Sequence, residues 1–399
     1  MKTASALSSF MPFFLLLAFS SCRDDGGPED GRVVDRVLLV YLGGDSNLSG
    51  EVPAKIEALQ AGRRAGDGPV ILYVDDARAR GSCLLRLAGD AEAPLLDTLA
   101  VYEEENSASP AVLRRVVEQV RERFPARGYG LLLFSHASGW LPAGTLQEPL
   151  AGLSRSLIVD DGEGARREME LAAFAAALPD GMFDFIVFET CLTANVELVH
   201  ALRRKAEYIV ASAAEIVSPG FTPLYPDALV HLLATRGELA AHLGAFAERY
   251  VHHASGSVRY LFSATISVIH TAALDELASV TREIYRQAPS FTDFEKLQRF
   301  DRPGQYSDTP ALARYFDLDQ YVEQIASPAG YERFREVLAR VVLYEGHSAR
   351  FLLYAGGPEN PENGFEITRH GGLTTYVERP EFPFINAGYR ATSWYGATR

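Results

Sequence analysis

The chain has 399 residues, 47% of them hydrophobic and 23% charged, with a formal net charge of −14. That composition suits a globular protein with a full core and excludes disorder over most of its length. The acidic balance argues against nucleic-acid binding and against a polybasic membrane patch. The three cysteines (Cys22, Cys83, Cys191) are too few for a disulfide framework and poorly placed for zinc.

Lys2 followed by the apolar run Phe10 to Phe19 reads as an export signal, too short to cross a membrane as a stable helix. The run leads into Phe19-Ser20-Ser21-Cys22, small residues just before a cysteine, and resembles a bacterial lipoprotein signal. The resemblance implies that residues 1–21 are removed and that Cys22 carries the lipid. An ordinary secretory signal with a bystander cysteine is the alternative. Residues 22–35, polar and rich in Gly, Pro and acid, read as a flexible tether. The expected location is the bacterial cell envelope, periplasmic or outer surface, with the lipid anchor as the only membrane contact.

Five short apolar runs follow: Arg36–Leu42, Val70–Val74, Tyr129–Phe134, Phe183–Phe188 and Tyr208–Ala211. None alternates with polar residues, so each suits a strand buried on both faces of a parallel sheet. Helix-like stretches lie between them, at Ala54–Ala61, Ser109–Phe124, Glu168–Leu178 and Ala194–Lys205. Ser109-Pro110 is a helix-start pair, and Pro125 stops that helix. Strands alternating with helices imply right-handed crossovers and an α/β fold: an open, mostly parallel sheet with helices on both faces. Past a soft boundary near residue 230 come helical stretches around 235–252, 273–287 and 316–326. A strand-like segment at 257–269 and a Gly-, Pro- and aromatic-rich end complete a C-terminal helical and mixed subdomain, residues 231–399.

In open parallel sheets reactive groups gather beyond the carboxyl ends of strands. The third run ends in Phe134-Ser135-His136-Ala137-Ser138-Gly139-Trp140, and the fourth in Phe188-Glu189-Thr190-Cys191, with a helix expected directly after it. A helix N-terminus and a nearby imidazole both favour thiolate. Histidine and cysteine on neighbouring strand tips are the minimum for nucleophilic acyl transfer. Backbone N–H groups of the helix start and of the loop from Ala137 to Gly139 can cradle an oxyanion. A buried, inert cysteine is the bland alternative.

Four segments, LLVYLGGDSNL (38–48), FSHASGW (134–140), FDFIVFETCLTANVEL (183–198) and AEYIVASAAE (206–215), together resemble the clostripain-like cysteine peptidases. The resemblance covers about residues 33–230, and the runs GGLTTYVERP (371–380) and TSWY (392–395) extend it to the tail of exported members. It implies a caspase-like peptidase domain over 36–230, His136 as general base, Cys191 as nucleophile, and a protein or peptide substrate. It also implies an acidic S1 pocket for Arg or Lys at P1, with Glu189 and Glu215 as candidates. The family commonly has Gly where Ala137 stands and Asp-Ala-Cys where Glu189-Thr190-Cys191 stands. Ala137 still offers its N–H but has fewer backbone choices, and Glu189 keeps the charge one methylene further out. These departures sustain a second reading, a catalytically inactive binding or scaffolding lipoprotein on the same fold.

No metal or cofactor is required by the residues themselves. Calcium (Ca2+) enters by the resemblance alone, since Asp75-Asp76 and Asp160-Asp161 are spaced unlike a known calcium loop and read as solvated turns. Asp45 reads as a loop cap, Cys83 as packing, His252-His253 as a helix surface and Trp140 as a brace for the histidine loop. The resemblance also implies possible self-cleavage in the loop between histidine and cysteine, residues 141–168, with Arg155, Arg166 and Arg167 as candidate sites.

Overall fold

The computed structural model describes residues 33–78, 81–142, 157–162, 166–301, 314–352 and 364–399. Nine strands form its main sheet: β1 (Val34–Gly44), β2 (Val70–Asp76), β3 (Cys83–Gly89), β4 (Pro94–Val101), β5 (Ala126–Phe134), β6 (Phe183–Glu189), β7 (Ala206–Ala211), β8 (Thr265–His270) and β9 (Val342–His347). Their order is β9-β8-β7-β6-β5-β1-β2-β3-β4. The five apolar runs are the contiguous parallel centre, β7-β6-β5-β1-β2. Their side chains are buried on both faces because helices cover both sides; Val37 to Leu42 of β1 are all at most 1% exposed.

Eleven helices of the described residues are α1 (Val52–Gly62), α2 (Pro110–Arg123), α3 (Leu171–Ala177), α4 (Val196–Leu202), α5 (Tyr225–Leu232), α6 (Leu239–Ser255), α7 (Leu274–Tyr285), α8 (Leu318–Ile325), α9 (Pro328–Val341), α10 (Pro383–Arg390) and α11 (Ser393–Thr398). Growth from β1 to β2 in one direction and from β5 through β6 to β7 in the other puts α1 on one face and α2, α3 and α4 on the opposite one, since each crossover is right-handed. α5 packs on α1 and α6 on α5, while α11 packs on α4 and α7. α2 buries Leu113, Val116, Val117 and Val120 at helical spacing. Ser109 occupies its N-cap without a side-chain cap bond, so the start is set by its extended backbone and Pro110.

Several elements lay beyond the sequence pattern. β3 and β4 add an antiparallel edge hairpin to β2. The strand expected over 257–269 is confined to Thr265–His270, because Val258–Tyr260 is a 3-10 turn and Leu261 and Phe262 take left-handed backbone. β8 pairs antiparallel with β7 and β9. The sheet therefore continues past the expected boundary near residue 230, and the region after it completes the same sheet. No helix among the described residues is long and apolar enough to cross a membrane.

The C-terminal stretch docks through a buried carboxylate. Glu197 on α4, fully buried, accepts at Oε1 from Thr375 Oγ1 at 2.9 Å and from the Tyr376 N–H at 3.0 Å. Burial pushes its carboxyl up to about 7. A carboxyl raised in the fold favours folding below its ordinary value of 4.5 and loses that contribution as pH rises through about 7. Unfolding free energy should therefore decline from pH 5 to pH 8, and Glu197→Gln should remove about 2–3 kcal/mol of that decline. Denaturant titrations at the two pH values measure it, and an unchanged slope in the variant would mean the carboxyl titrates normally.

Candidate active site

Strand register brings the two reactive segments level. Phe134 at the end of β5 sits opposite Glu189 at the end of β6. His136 and Cys191 each lie two residues further on, so both emerge at the same height on adjacent strands. They line one cavity of about 320 Å³, together with Asn47, Glu51, Glu215 and Gly220. Cys191 is half-buried and lies in a turn. Leu192, next along, adopts left-handed backbone at φ 59°, held by its N–H to the Ala214 carbonyl (2.9 Å) and by Asn195 Nδ2 donating to its carbonyl (2.7 Å). A non-glycine residue in left-handed backbone is strained, and such residues cluster at functional turns.

The helix expected directly after Cys191 begins only at Val196. Its N-cap is Asn195, whose Oδ1 already accepts the Leu198 N–H at 2.8 Å. Thiolate stabilisation by a helix start adjoining Cys191 is thus corrected: the intervening turn, tied to Ala214, separates the two.

His136 Nε2 hydrogen-bonds Asn47 Oδ1, in the loop beyond β1. An amide oxygen only accepts, so Nε2 carries the hydrogen and Nδ1 is the basic nitrogen. Asn47 escaped the sequence reading, although it closes the GGDSN run at the same sheet edge. Ala137 is buried without positive φ, so alanine satisfies that position. Gly139 has φ 63°, and a Cβ there would fall 2.2 Å from the Leu192 carbonyl oxygen. The histidine loop and the cysteine turn therefore touch backbone to backbone, at a place only glycine allows.

The two acids expected at the pocket part company. Glu189 is 2% exposed, and both its oxygens are engaged: Lys55 Nζ (2.6 Å) and the Phe221 N–H (2.5 Å) on Oε1, and Tyr225 OH (2.6 Å) on Oε2. Lys55, fully buried on α1, also donates to Thr222 Oγ1 at 2.7 Å. Glu189 lines the cavity too, but an internal ammonium already neutralises its carboxylate, which argues against it as the S1 acid. Glu215 stands half-buried in the cavity wall. Nothing in the spacing could have paired Lys55 with Glu189, since the two are 134 residues apart.

One aspartate from each expected solvated turn is in fact buried. Asp75 and Asp160 meet Asp45, with an oxygen of each within 4.8 Å of the others. The turns fold inward because Asp160 accepts the Ser107 N–H (2.7 Å) and the Gly162 N–H (2.9 Å), while the Asp45 carbonyl accepts from Asp161. Burial and mutual repulsion raise Asp45 to about 6 and Asp75 to about 7. Among the described residues, Asp75 Oδ2 has no hydrogen-bond partner. Three hard oxygen donors around an orphaned carboxylate oxygen fit calcium, the ion the resemblance implied.

Other candidates fall as follows. Cys83 lies half-buried on β3, where burial lifts its thiol to about 11. His252 and His253 are exposed on α6. Trp140 is wedged against Tyr376 and Tyr389, with ring centroids at 5.3 and 5.6 Å. Arg166 pairs with Asp161 and Glu168, and Arg167 lies in a two-residue strand opposite Asp160. Cys22 and Arg155 lie outside the described residues.

Residues 40–335 match the model of the clostripain family. Clostripain of Hathewaya histolytica is 23% identical over 217 residues, which is 46% of this chain and 40% of clostripain. The chain thus spans less than half the length of that relative. An inactive zymogen of a C11 protease from Parabacteroides distasonis superposes with a TM-score of 0.78 at 26% identity, covering 92% of this chain and 99% of the other. A secreted C11 cysteine protease from Bacteroides thetaiotaomicron, solved with an irreversible peptide inhibitor, shares the fold with a TM-score of 0.75 at 24% identity, over 91% and 98% of the two chains.

The buried pair makes a direct prediction. Lys55→Met strands a carboxylate and should cost about 3–5 kcal/mol of stability, whereas Lys55→Met/Glu189→Leu should recover most of that loss. Chemical denaturation compares them; equal losses in the two would show that the ion pair is not what holds this region.

Proposed function

The chain belongs to the clostripain family, and from that premise we propose that it is a cysteine-type endopeptidase working through His136 and Cys191. The observation that carries the reading is the shared cavity: a half-buried thiol and an imidazole at level ends of adjacent parallel strands. His136 takes the thiol proton, and the Cys191 sulfur attacks the scissile carbonyl carbon. Backbone N–H groups of the Ala137–Gly139 loop and the cysteine turn hold the oxyanion. His136 then hands the proton to the leaving amine, the C–N bond breaks, and a thioester remains. Water, deprotonated by His136, hydrolyses the thioester and frees the thiol. Asn47 fixes the imidazole ring during both transfers. Asp45, Asp75 and Asp160 would hold a calcium ion, which would neutralise the acidic loop leading to Asn47.

Glu215, with Glu51 at the same cavity, gives the pocket its negative side and favours Arg or Lys at P1. A scaffolding protein on this fold would need no thiol open to a cleft, and Cys191 is open to one. The lipoprotein-like run ending at Cys22 supports export and tethering to the cell envelope by lipid.

Purified protein should cleave peptides with Arg or Lys at P1, and a peptidyl acyloxymethyl ketone should label Cys191. Cys191→Ala and His136→Ala should each lower kcat/KM by on the order of 10³ or more; cleavage by Cys191→Ala at the wild-type rate overturns the mechanism. Glu215→Gln should cut the preference for Arg over citrulline at P1 by about 10–100-fold. Lys55→Met/Glu189→Leu should leave that preference within about threefold. The opposite pattern would return P1 recognition to Glu189. Cys22→Ala should release the protein from the membrane fraction and abolish labelling by radioactive palmitate.

A further inference from the structure

Two short segments remote in sequence from the dyad meet beside it. Phe316 and Asp317 pair antiparallel with Thr375 and Thr374, making a two-stranded clip. Just before its first strand, Tyr315 donates its hydroxyl to the Ser138 carbonyl, in the histidine loop. Its second strand grips the cysteine side. The Thr374 N–H donates to the Ala194 carbonyl at 2.8 Å, and Thr375 Oγ1 and the Tyr376 N–H converge on Glu197. Trp140 of the histidine loop packs on Tyr376, which closes the circuit. Tyr315, Thr374, Thr375, Tyr376 and Glu197 are each at most 1% exposed, so water does not compete for these bonds.

The clip is itself anchored away from the site. Asp317 caps α8 by accepting the Gln320 N–H at 2.8 Å and accepts the Gly371 N–H at 2.6 Å, while the Leu318 N–H donates to the Leu373 carbonyl at 2.9 Å. One rigid piece thus holds the histidine loop by one end and the cysteine turn by the other. Strand register sets the height of His136 and Cys191 but leaves their loops to settle sideways, and a displacement of about 1 Å can cost about 100-fold in rate.

We propose that this clip sets the spacing of His136 and Cys191, with Tyr315 and Thr375 as positioning residues supplied by the C-terminal third of the chain. Its kinetic consequence rests on the peptidase reading above; its effect on thiol reactivity does not.

Tyr315→Phe and Thr375→Val each remove one hydroxyl and keep the packing shape. Each should lower kcat by about 5–30-fold with KM within about twofold, and Thr375→Ser should restore the wild-type kcat. The double variant should lose less than the product of the two, because both act through one unit. Alkylation of Cys191 by iodoacetamide at pH 7, followed on the Cys191 peptide by mass spectrometry, should slow at least about threefold in both. Variants that melt at lower temperature yet keep wild-type kcat and alkylation rates overturn the proposal. If the wild type cleaves no peptide, alkylation alone decides: slowed alkylation upholds the clip while the peptidase reading falls, and unchanged alkylation removes the clip.

Discussion

The reactive edge of this protein depends on one alignment, Phe134 opposite Glu189 in the parallel pairing of β5 with β6. A slip of one residue would swap every side chain of one strand between the two helix-covered faces of the sheet, breaking its packing against both layers. The register is therefore enforced by the core rather than by the site. Because both loops leave the sheet two residues before their reactive side chains, core packing alone brings an imidazole and a thiol to the same level. Gly139, packed against the Leu192 carbonyl, then sets only a lower limit on how closely the loops can approach.

Charge near this edge is handled in two different ways. Glu189 is buried with a partner, Lys55, and with two further donors, so its charge is contained and it fastens α1 to the segment from Phe221 to Tyr225. A pair desolvated to this degree adds little net stability by itself, but either member alone would be costly. Asp45, Asp75 and Asp160 have no cationic partner among the described residues; burial and repulsion hold the Asp45 and Asp75 carboxyls at raised pKa, while Asp160 accepts the backbone N–H groups of Ser107 and Gly162. The first arrangement is already neutralised by its own ammonium, whereas the second gathers carboxylates with no cation between them among the described residues.

The last third of the chain serves the site twice. Its β8 and β9 extend the sheet beyond β7, and Thr265 Oγ1 on β8 receives the Ala214 N–H at 2.9 Å while Ala214 in turn accepts from Leu192. Its clip then reaches both loops from the side. A region that reads in the sequence as an appendage is, in three dimensions, bonded to the loops that carry His136 and Cys191.

The five central strands, the helices between them and the candidates His136 and Cys191 were legible in the sequence. Strands buried on both faces must be continuously apolar, and the ends of such runs are where an open parallel sheet places its reactive groups. Asn47, the Lys55–Glu189 pair, the inward turn of Asp75 and Asp160, and the late start of α4 were not. Each is a contact between segments separated by dozens of residues, or a turn whose path depends on such contacts, and periodicity carries no signal about long-range partners. The sequence by itself determined which segments become the sheet and which two side chains end at its rim, because hydrophobic patterning is a local property. Only the tertiary structure decided which acid at the cavity is neutralised from within and which carboxylates are drawn together, because the charge a group presents depends on what it is buried against.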